Sequence, residues 1–147
     1  MNTVEKIFTA FSQVKQKDPR QMGALTLAYV GDTVYDLYVR TYLAEKSGAS
    51  VHTLHLTAAE YVCAAGQAAA YRVIEPLLTE EESAVFHRGR NAHSGTVPKN
   101  ASVSDYRIAT GMEALFGFLY LEGRDERLSY LMERILSYRE NTEETDR

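Results

Sequence analysis

Hydrophobic and polar positions repeat along most of the chain with the period of an α-helix. In the first segment, apolar residues from Val4 to Val14 recur three and four positions apart and so share one helical face. A longer stretch at 24–46 lacks the period-two alternation of a strand and ends at Ser47-Gly48, a common helix stop. The whole pattern predicts six helices, at about residues 4–14, 24–46, 51–75, 80–88, 102–121 and 125–138.

Capping residues support several of these boundaries. Ser50, Thr79 and Ser102 each precede a predicted helix, where a hydroxyl oxygen can accept a hydrogen bond from a free backbone N–H group. Three glutamates follow Thr79, and negative charge stabilises a helix N-terminus. We therefore expect one all-α domain over residues 1–138, followed by a frayed acidic tail at 139–147.

The composition is that of a globular protein outside the membrane. The chain has 147 residues, of which 45% are hydrophobic and 24% charged. No apolar run reaches the roughly 20 residues that span a bilayer. The one cysteine, Cys63, cannot form an internal disulfide, which favours a reducing cytoplasm, and its alanine-rich surroundings favour a small core residue over a nucleophile. The acidic tail carries most of the formal net charge of −4, so a basic surface elsewhere is compatible with it.

A carboxylate inside the second predicted helix is not explained by packing. Asp32 lies in the apolar run LTLAYVGDTVYDLYV directly after Gly31, which costs about 1 kcal/mol of helix stability relative to alanine. Such a glycine indicates close approach of another group. Asp32 is therefore either a satisfied polar group at a helix crossing or a functional carboxylate, and Asp36 follows one turn later with no assigned role.

The fifth predicted helix carries a second isolated acid. Glu113 is the only charged residue between Arg107 and Glu122. A carboxylate in so apolar a run must be paired, protonated or bound to a metal ion. Two such acids on two apolar helices can meet and form a site for a hard metal ion, whereas the alternative is a salt bridge from Glu113 to an arginine such as Arg40 or Arg107.

The segment between the fourth and fifth predicted helices is basic and rich in hydrogen-bonding groups. No acidic residue occurs from Ser83 to Ser104, while two histidines, two glycines and several hydroxyl and amide side chains do. This composition suits contact with a nucleic-acid phosphate backbone, and the simpler alternative is a solvated surface loop. The candidate contact residues are Arg88, Arg90, Asn91, Ser94, Lys99 and Asn100.

Three segments together resemble a known family. LAYVGDTVYDLYVR at 27–40 is similar to the signature helix of the ribonuclease III endonuclease domain, and MEALFGFLYLEG at 112–123 is similar to its second acidic motif. HRGRNAHSGTVPKN at 87–100, followed by YRIATGMEALFG, resembles more closely the Mini-ribonuclease III branch, whose members consist of the catalytic domain alone. The resemblance implies the all-α ribonuclease III endonuclease-domain fold and an endoribonuclease.

The resemblance also assigns roles to individual residues. Asp32 matches the family's signature aspartate, a metal ligand and catalytic carboxylate, and Glu113 matches the metal-binding glutamate of the second motif. Full-length ribonuclease III has further acids at the positions of Leu25, Ala28 and Thr110, and the Mini branch shares the reduced set found here. The implied chemistry is Mg²⁺-assisted hydrolysis of a phosphodiester, with one metal ion per site favoured over two.

The implied partners are RNA and a second copy of the chain. The family cuts double-stranded RNA, and the precedent in the branch is the precursor of 23S ribosomal RNA, cut near both ends of the mature sequence. A ribosomal protein bound to that precursor could be a further partner. Signature helices pair in a symmetric homodimer, so Tyr29, Tyr35, Tyr38 and Tyr42 belong either to that interface or to the monomer core. We expect no double-stranded RNA-binding domain, which leaves the basic loop to hold the substrate.

Two other functions remain open on the sequence alone. A ribonuclease III-like fold could bind RNA or the ribosome without cutting, which the missing acids favour and the joint presence of Asp32 and Glu113 opposes. A helical adaptor for protein interactions would have no RNA affinity. A zinc site has little support, because His52 and His55 lack a further pair of ligands.

Overall fold

The computed structural model describes residues 1–92, Lys99 and residues 102–145. Within these ranges seven α-helices follow one another: α1 Thr3–Phe8, α2 Ala24–Lys46, α3 Val51–Val62, α4 Ala64–Ile74, α5 Glu80–Asn91, α6 Val103–Leu121 and α7 Asp125–Thr145. Short 3₁₀ turns lie at Pro19–Gln21 and Glu75–Leu77. The described residues contain no strand, and the all-α class predicted from the hydrophobic pattern is confirmed.

The predicted caps form as the sequence indicates. Ser50 Oγ and Ser102 Oγ accept hydrogen bonds from the backbone N–H groups three residues later, at 3.2 and 3.0 Å. At α5, Thr79 Oγ1 accepts from the Glu82 N–H at 3.2 Å, and the Glu82 carboxylate accepts from the Thr79 N–H at 2.9 Å. This reciprocal pair satisfies two N–H groups that a helix start otherwise leaves free.

The first helix is shorter than its apolar spacing predicts. α1 ends at Phe8, and of its apolar face only Val4 is buried, while Ile7, Phe11 and Val14 are exposed. Helical stability in proteins comes mostly from packing of an apolar face. Further turns of this helix have no core surface to pack against.

The predicted helix at 51–75 is two helices, with a break at Cys63. Cys63 has extended backbone angles and caps α4, its sulfur accepting a hydrogen bond from the Gly66 N–H at 3.4 Å. The thiol is exposed, so the expectation of a small core residue was wrong. Alanine has high helix propensity on both sides of the break, which is why the pattern alone does not mark it.

The acidic tail was predicted to fray from residue 139, but α7 continues to Thr145. Lys46 Nζ lies 3.2 Å from a carboxylate oxygen of Glu140, and the Tyr42 hydroxyl donates a hydrogen bond to the same carboxylate. These contacts attach the added turns to the end of α2. Composition alone does not predict them, because both partners are distant in sequence.

The core is centred on α6, which packs against α2, α4 and α5. The second half of α6 is buried on nearly all sides. Its residues are therefore apolar at almost every position, rather than only along the one stripe that a surface helix has. The aromatic rings of Tyr35 on α2 and Phe116 on α6 lie 5.4 Å apart. Tyr71 on α4 stacks on Phe86 of α5 at 3.8 Å.

Backbone contact between α2 and α6 determines the geometry of this core. A Cβ atom on Gly31 would lie 1.6 Å from the Glu113 carbonyl oxygen, and one on Gly117 would lie 1.9 Å from the Leu27 carbonyl oxygen. Neither position has room for any side chain. The glycine that the sequence marked as a point of close approach is therefore the point where the two helices touch.

We predict that Gly31→Ala separates α2 from α6 and lowers the free energy of unfolding by about 3 kcal/mol or more, because overpacking here meets backbone rather than a flexible side chain. Urea unfolding followed by circular dichroism measures this. Gly48→Ala is the matched control, since a Cβ at Gly48 meets nothing within 4 Å and the backbone there needs no positive φ. Equal stability of the two variants would contradict the account.

Candidate active site

The contact between α2 and α6 brings the two isolated acids together. Asp32 follows Gly31 directly, and Gly31 touches the backbone of Glu113, so the two carboxyl groups lie close enough together for Asp32 to raise the pKa of Glu113. Asp32 is exposed, whereas Glu113 is half-buried. The pair therefore has one carboxyl group open to solvent and one within the protein.

The more buried member of the pair, Glu113, has a raised pKa. Burial raises the pKa of Glu113 to about 8, and the hydrogen bond and negative charge of Asp32 raise it in the same direction. A side-chain hydrogen bond from Gln67 acts against this rise. Near pH 7 the site thus retains a proton on Glu113, which a divalent cation could displace.

A salt bridge to Glu113 was the alternative from the sequence, and the structure excludes it for the described residues. Arg40 instead pairs with Asp36, with Nε 2.9 Å from Oδ2. Arg107 lines a cavity with Arg90 at the start of α6. No described cation forms an ion pair with Asp32 or Glu113.

The donor set fits a hard divalent cation. Mg²⁺ is commonly held by one or two carboxylates, and water and substrate phosphate complete its coordination. Asp32 and Glu113 supply two such oxygen ligands, and the exposure of Asp32 leaves access for water and phosphate. Among described residues there is no cluster of three or more His, Cys, Asp or Glu that could form an all-protein cage.

The positions that hold further acids in full-length ribonuclease III carry no charge here. Ala28 is buried and Leu25 is exposed. Thr110 is buried, and its hydroxyl donates to the Tyr106 carbonyl oxygen at 3.0 Å, a contact within α6. These three residues therefore add no ionised ligand to the pair.

One polar residue of the site was missed by sequence reasoning. Gln67 on α4 is only 3% exposed, and its side chain lies close enough to Glu113 to lower the pKa of that carboxyl group. The available signal was a lone glutamine within the run AAGQAAA. The alanines were interpreted as a surface for close helix packing, and this interpretation gave the glutamine no role.

The candidate phosphate contacts fall partly within the described structure. Arg88, Arg90 and Asn91 are exposed on the last turn of α5, and Lys99 is exposed. Ser94 and Asn100 lie outside the described residues.

A cavity of about 340 Å³ adds one arginine to this surface. It lies between the end of α5 and the start of α6, and Arg90, Asn91, Ser104 and Arg107 are among its lining residues. Arg107 is six residues before Glu113 on α6, about 9 Å along the helix axis. His52 and His55, by contrast, are exposed on α3.

A larger apolar groove runs along the face of α2 that carries Val30 and Leu37. Its volume is about 570 Å³, and α1 and α7 form its other walls. Leu37 is 64% exposed there. Of the four tyrosines, Tyr35 belongs to the core, where burial raises the pKa of its phenol, and Tyr29 is 82% exposed outside the groove. The two groove residues are Tyr38 and Tyr42.

Comparison with known proteins places this arrangement in a family. The family model named Ribonuclease III domain matches residues 25–124, which include both acids. Mini-ribonuclease 3 of Clostridium tetani is 42% identical over 144 residues, covering 97% of this chain and 95% of the relative. Mini-ribonuclease 3 of Desulfitobacterium hafniense is 48% identical over 116 residues, covering 79% and 73%.

A solved structure supports the same assignment. The crystal structure of a Fusobacterium nucleatum protein superposes with a TM-score of 0.75 at 29% identity, covering 84% of this chain and 98% of that one. In the described part of this chain, no helix is long and apolar enough to cross a membrane. The protein is thus an endoribonuclease, and the chain belongs to the ribonuclease III family, in its Mini-ribonuclease 3 branch.

Proposed function

We propose that the protein cleaves double-stranded RNA with the help of a divalent cation, Mg²⁺, held by Asp32 and Glu113. The observation that carries this proposal is the pair itself: Asp32 lies close enough to Glu113 to raise its pKa, and no described cation pairs with either acid. A bound cation would supply Lewis-acid activation of the phosphodiester and of the attacking water.

The two acids contribute differently to this chemistry. Glu113 must release the proton that burial and Asp32 hold on its carboxyl group before both of its oxygens can act as ligands. Asp32 is exposed to solvent, so water and an RNA phosphate can reach its carboxylate. The close backbone contact of Gly117 with Leu27 holds α2 against α6 next to the pair.

The rival is an inactive RNA-binding or ribosome-binding module. The absence of ionised side chains at Leu25, Ala28 and Thr110 favours it. Burying the Glu113 carboxyl group beside another acid costs folding free energy, and in the described residues it forms no ion pair that would offset this cost. A costly group of this kind is typical of a functional site and argues against the rival. We therefore assign cleavage rather than binding alone.

RNA binding is proposed for the basic surface at the end of α5. Recognition of duplex RNA depends mainly on its shape and on phosphate and 2′-hydroxyl contacts. Arg88, Arg90, Asn91 and Lys99 present exposed donors for this purpose, and Arg107 extends the surface from α6 toward Glu113. Ser94 and Asn100 complete the proposed set from the sequence.

The proposed substrate is the precursor of 23S ribosomal RNA, cut near both ends of the mature sequence. The support is membership of the Mini-ribonuclease 3 branch, because the sequence resemblance to that branch implies this substrate. Such a substrate implies action in the cytoplasm, where a ribosomal protein bound to the precursor could add to the contact with RNA.

A homodimer is proposed through the apolar groove on α2. Cutting both strands of a duplex requires two active sites, and the groove exposes apolar side chains that water disfavours. Leu37 is the most exposed of the apolar residues that line it.

Replacing either acid tests the site. Asp32→Asn and Glu113→Gln keep the side-chain shape but remove a ligand charge, so cleavage of labelled duplex RNA on denaturing gels should fall by at least about 100-fold, with partial rescue of Glu113→Gln at high Mg²⁺. Glu45→Gln removes the same charge from an exposed position of α2 and should cleave like the wild type. Wild-type rates in either site variant would end the assignment.

The dimer is tested by charging the groove. Leu37→Glu should shift the protein from dimer to monomer in sedimentation at micromolar concentration, because a carboxylate would be buried without a partner. Leu56→Glu on α3 is the control, since Leu56 is 57% exposed but does not line the groove. A wild-type monomer that cuts both strands at full rate would refute the dimer.

The RNA surface is tested by the salt dependence of binding. Each phosphate contact releases roughly 0.7 to 0.9 counterions, so replacing Arg88, Arg90 and Lys99 with alanine should reduce the slope of log K against log salt by about 2 to 3 units. Cleavage should fall more at low RNA concentration than at saturation, because binding is what is lost.

The matched control removes the same charge elsewhere. Lys6, Lys15 and Lys17 are exposed in the N-terminal segment, and their triple alanine variant should keep the wild-type slope. Equal slopes in all three proteins would mean that RNA binds another face.

A further inference from the structure

A buried amide connects the break between α3 and α4 to the acid pair. Gln67 is 3% exposed, and its Nε2 donates to the Val62 carbonyl oxygen at 3.0 Å. The same side chain lies close enough to Glu113 to lower the pKa of its carboxyl group. Its Oε1 is buried and has no hydrogen-bond partner in the described part of the chain.

The helix break gives Gln67 its anchor. Because α3 ends at Val62, the carbonyl of that residue is one of those that a helix C-terminus leaves without an intrahelical partner. Gly66 allows α4 to turn back closely, since a Cβ there would lie 2.2 Å from the Glu60 carbonyl oxygen. The next residue, Gln67, then lies within reach of the Val62 carbonyl.

Packing alone does not explain an amide at this position. A buried polar atom without a partner costs free energy, and an apolar side chain of the same length would avoid that cost. Methionine is such a side chain. The amide provides two interactions that methionine cannot, the hydrogen bond to the Val62 carbonyl oxygen and the interaction with Glu113, and only the second concerns the acid pair.

The neutrality of the amide suits a site that binds a cation. An arginine or lysine in its place would pair with Glu113 and compete with a metal ion for the carboxylate. A further carboxylate would add repulsion to the pair of Asp32 and Glu113. An amide N–H can hold a carboxylate oxygen while leaving the charge of the site unchanged.

We propose that Gln67 is a positioning residue: anchored on the Val62 carbonyl, its amide holds the Glu113 carboxyl group beside Asp32 before metal and RNA bind. This inference rests on the proposed function, because it assumes that the acid pair takes a divalent cation. Its consequence is that Gln67 determines metal affinity without touching the RNA.

The test is Mn²⁺ binding without RNA, measured by electron paramagnetic resonance of free Mn²⁺. Gln67→Met keeps the length of the side chain and removes its hydrogen bonds, so the Kd for Mn²⁺ should rise by about 10 to 100-fold. In cleavage assays the Mg²⁺ concentration for half-maximal rate should rise similarly, and the rate at saturating Mg²⁺ should largely recover. A wild-type Kd in Gln67→Met would overturn the proposal.

Two controls separate positioning from stability and from the proposed function itself. Leu131 is a fully buried residue of α7, and Leu131→Ala leaves a cavity in the core. This variant should therefore have a lower melting temperature but an unchanged Kd for Mn²⁺. If Asp32→Asn leaves Mn²⁺ binding intact, the metal site is wrong. If Asp32→Asn loses Mn²⁺ binding while Gln67→Met retains it, only the role of Gln67 falls.

A measurement on the unaltered protein covers the case in which Gln67→Met does not fold. The chain contains four glutamines, Gln13, Gln16, Gln21 and Gln67. On titration with Mg²⁺, the side-chain amide resonances of Gln67 should shift in nuclear magnetic resonance spectra, and those of the other three should not. Unshifted Gln67 resonances at saturating Mg²⁺ would overturn the proposal.

Discussion

Backbone contact between α2 and α6 is the constraint on which the site depends. Gly31 and Gly117 remove the side chains that would hold the two helices apart. The residue after Gly31 is Asp32, and the backbone that Gly31 touches belongs to Glu113. The same helix–helix contact therefore determines both the packing of the core and the position of the acid pair. The usual stability cost of a glycine within a helix is accepted where close approach is needed.

The acid pair works against folding when no cation is present. The folded-state pKa of Glu113, about 8, lies above its ordinary value of 4.5, so the folded protein binds this proton more tightly than the unfolded chain. The resulting stabilisation is complete below pH 4.5 and is lost as the pH rises toward 8. A cation that binds only the folded protein offsets this loss. Such a conflict between stability and charge is common at functional sites.

Local signals in the sequence predicted the helices and the two acids, and long-range contacts account for what was missed. The bounds of α2, the importance of Gly31 and the oddity of Glu113 follow from neighbouring residues alone. The break at Cys63 depends on Gly66 packing against carbonyl groups of α3, and the extension of α7 depends on Glu140 meeting α2. Gln67 acquires its role only when α4 is placed against α6. None of these contacts has a periodic signature.

The most direct measurement is the titration of the Glu113 carboxyl carbon by nuclear magnetic resonance, in metal-free protein and at saturating Mg²⁺. We predict a pKa of about 8 without metal, and a marked fall when Mg²⁺ takes the place of the proton. An ordinary carboxyl pKa in the metal-free protein, or a raised value that Mg²⁺ leaves unchanged, would contradict it.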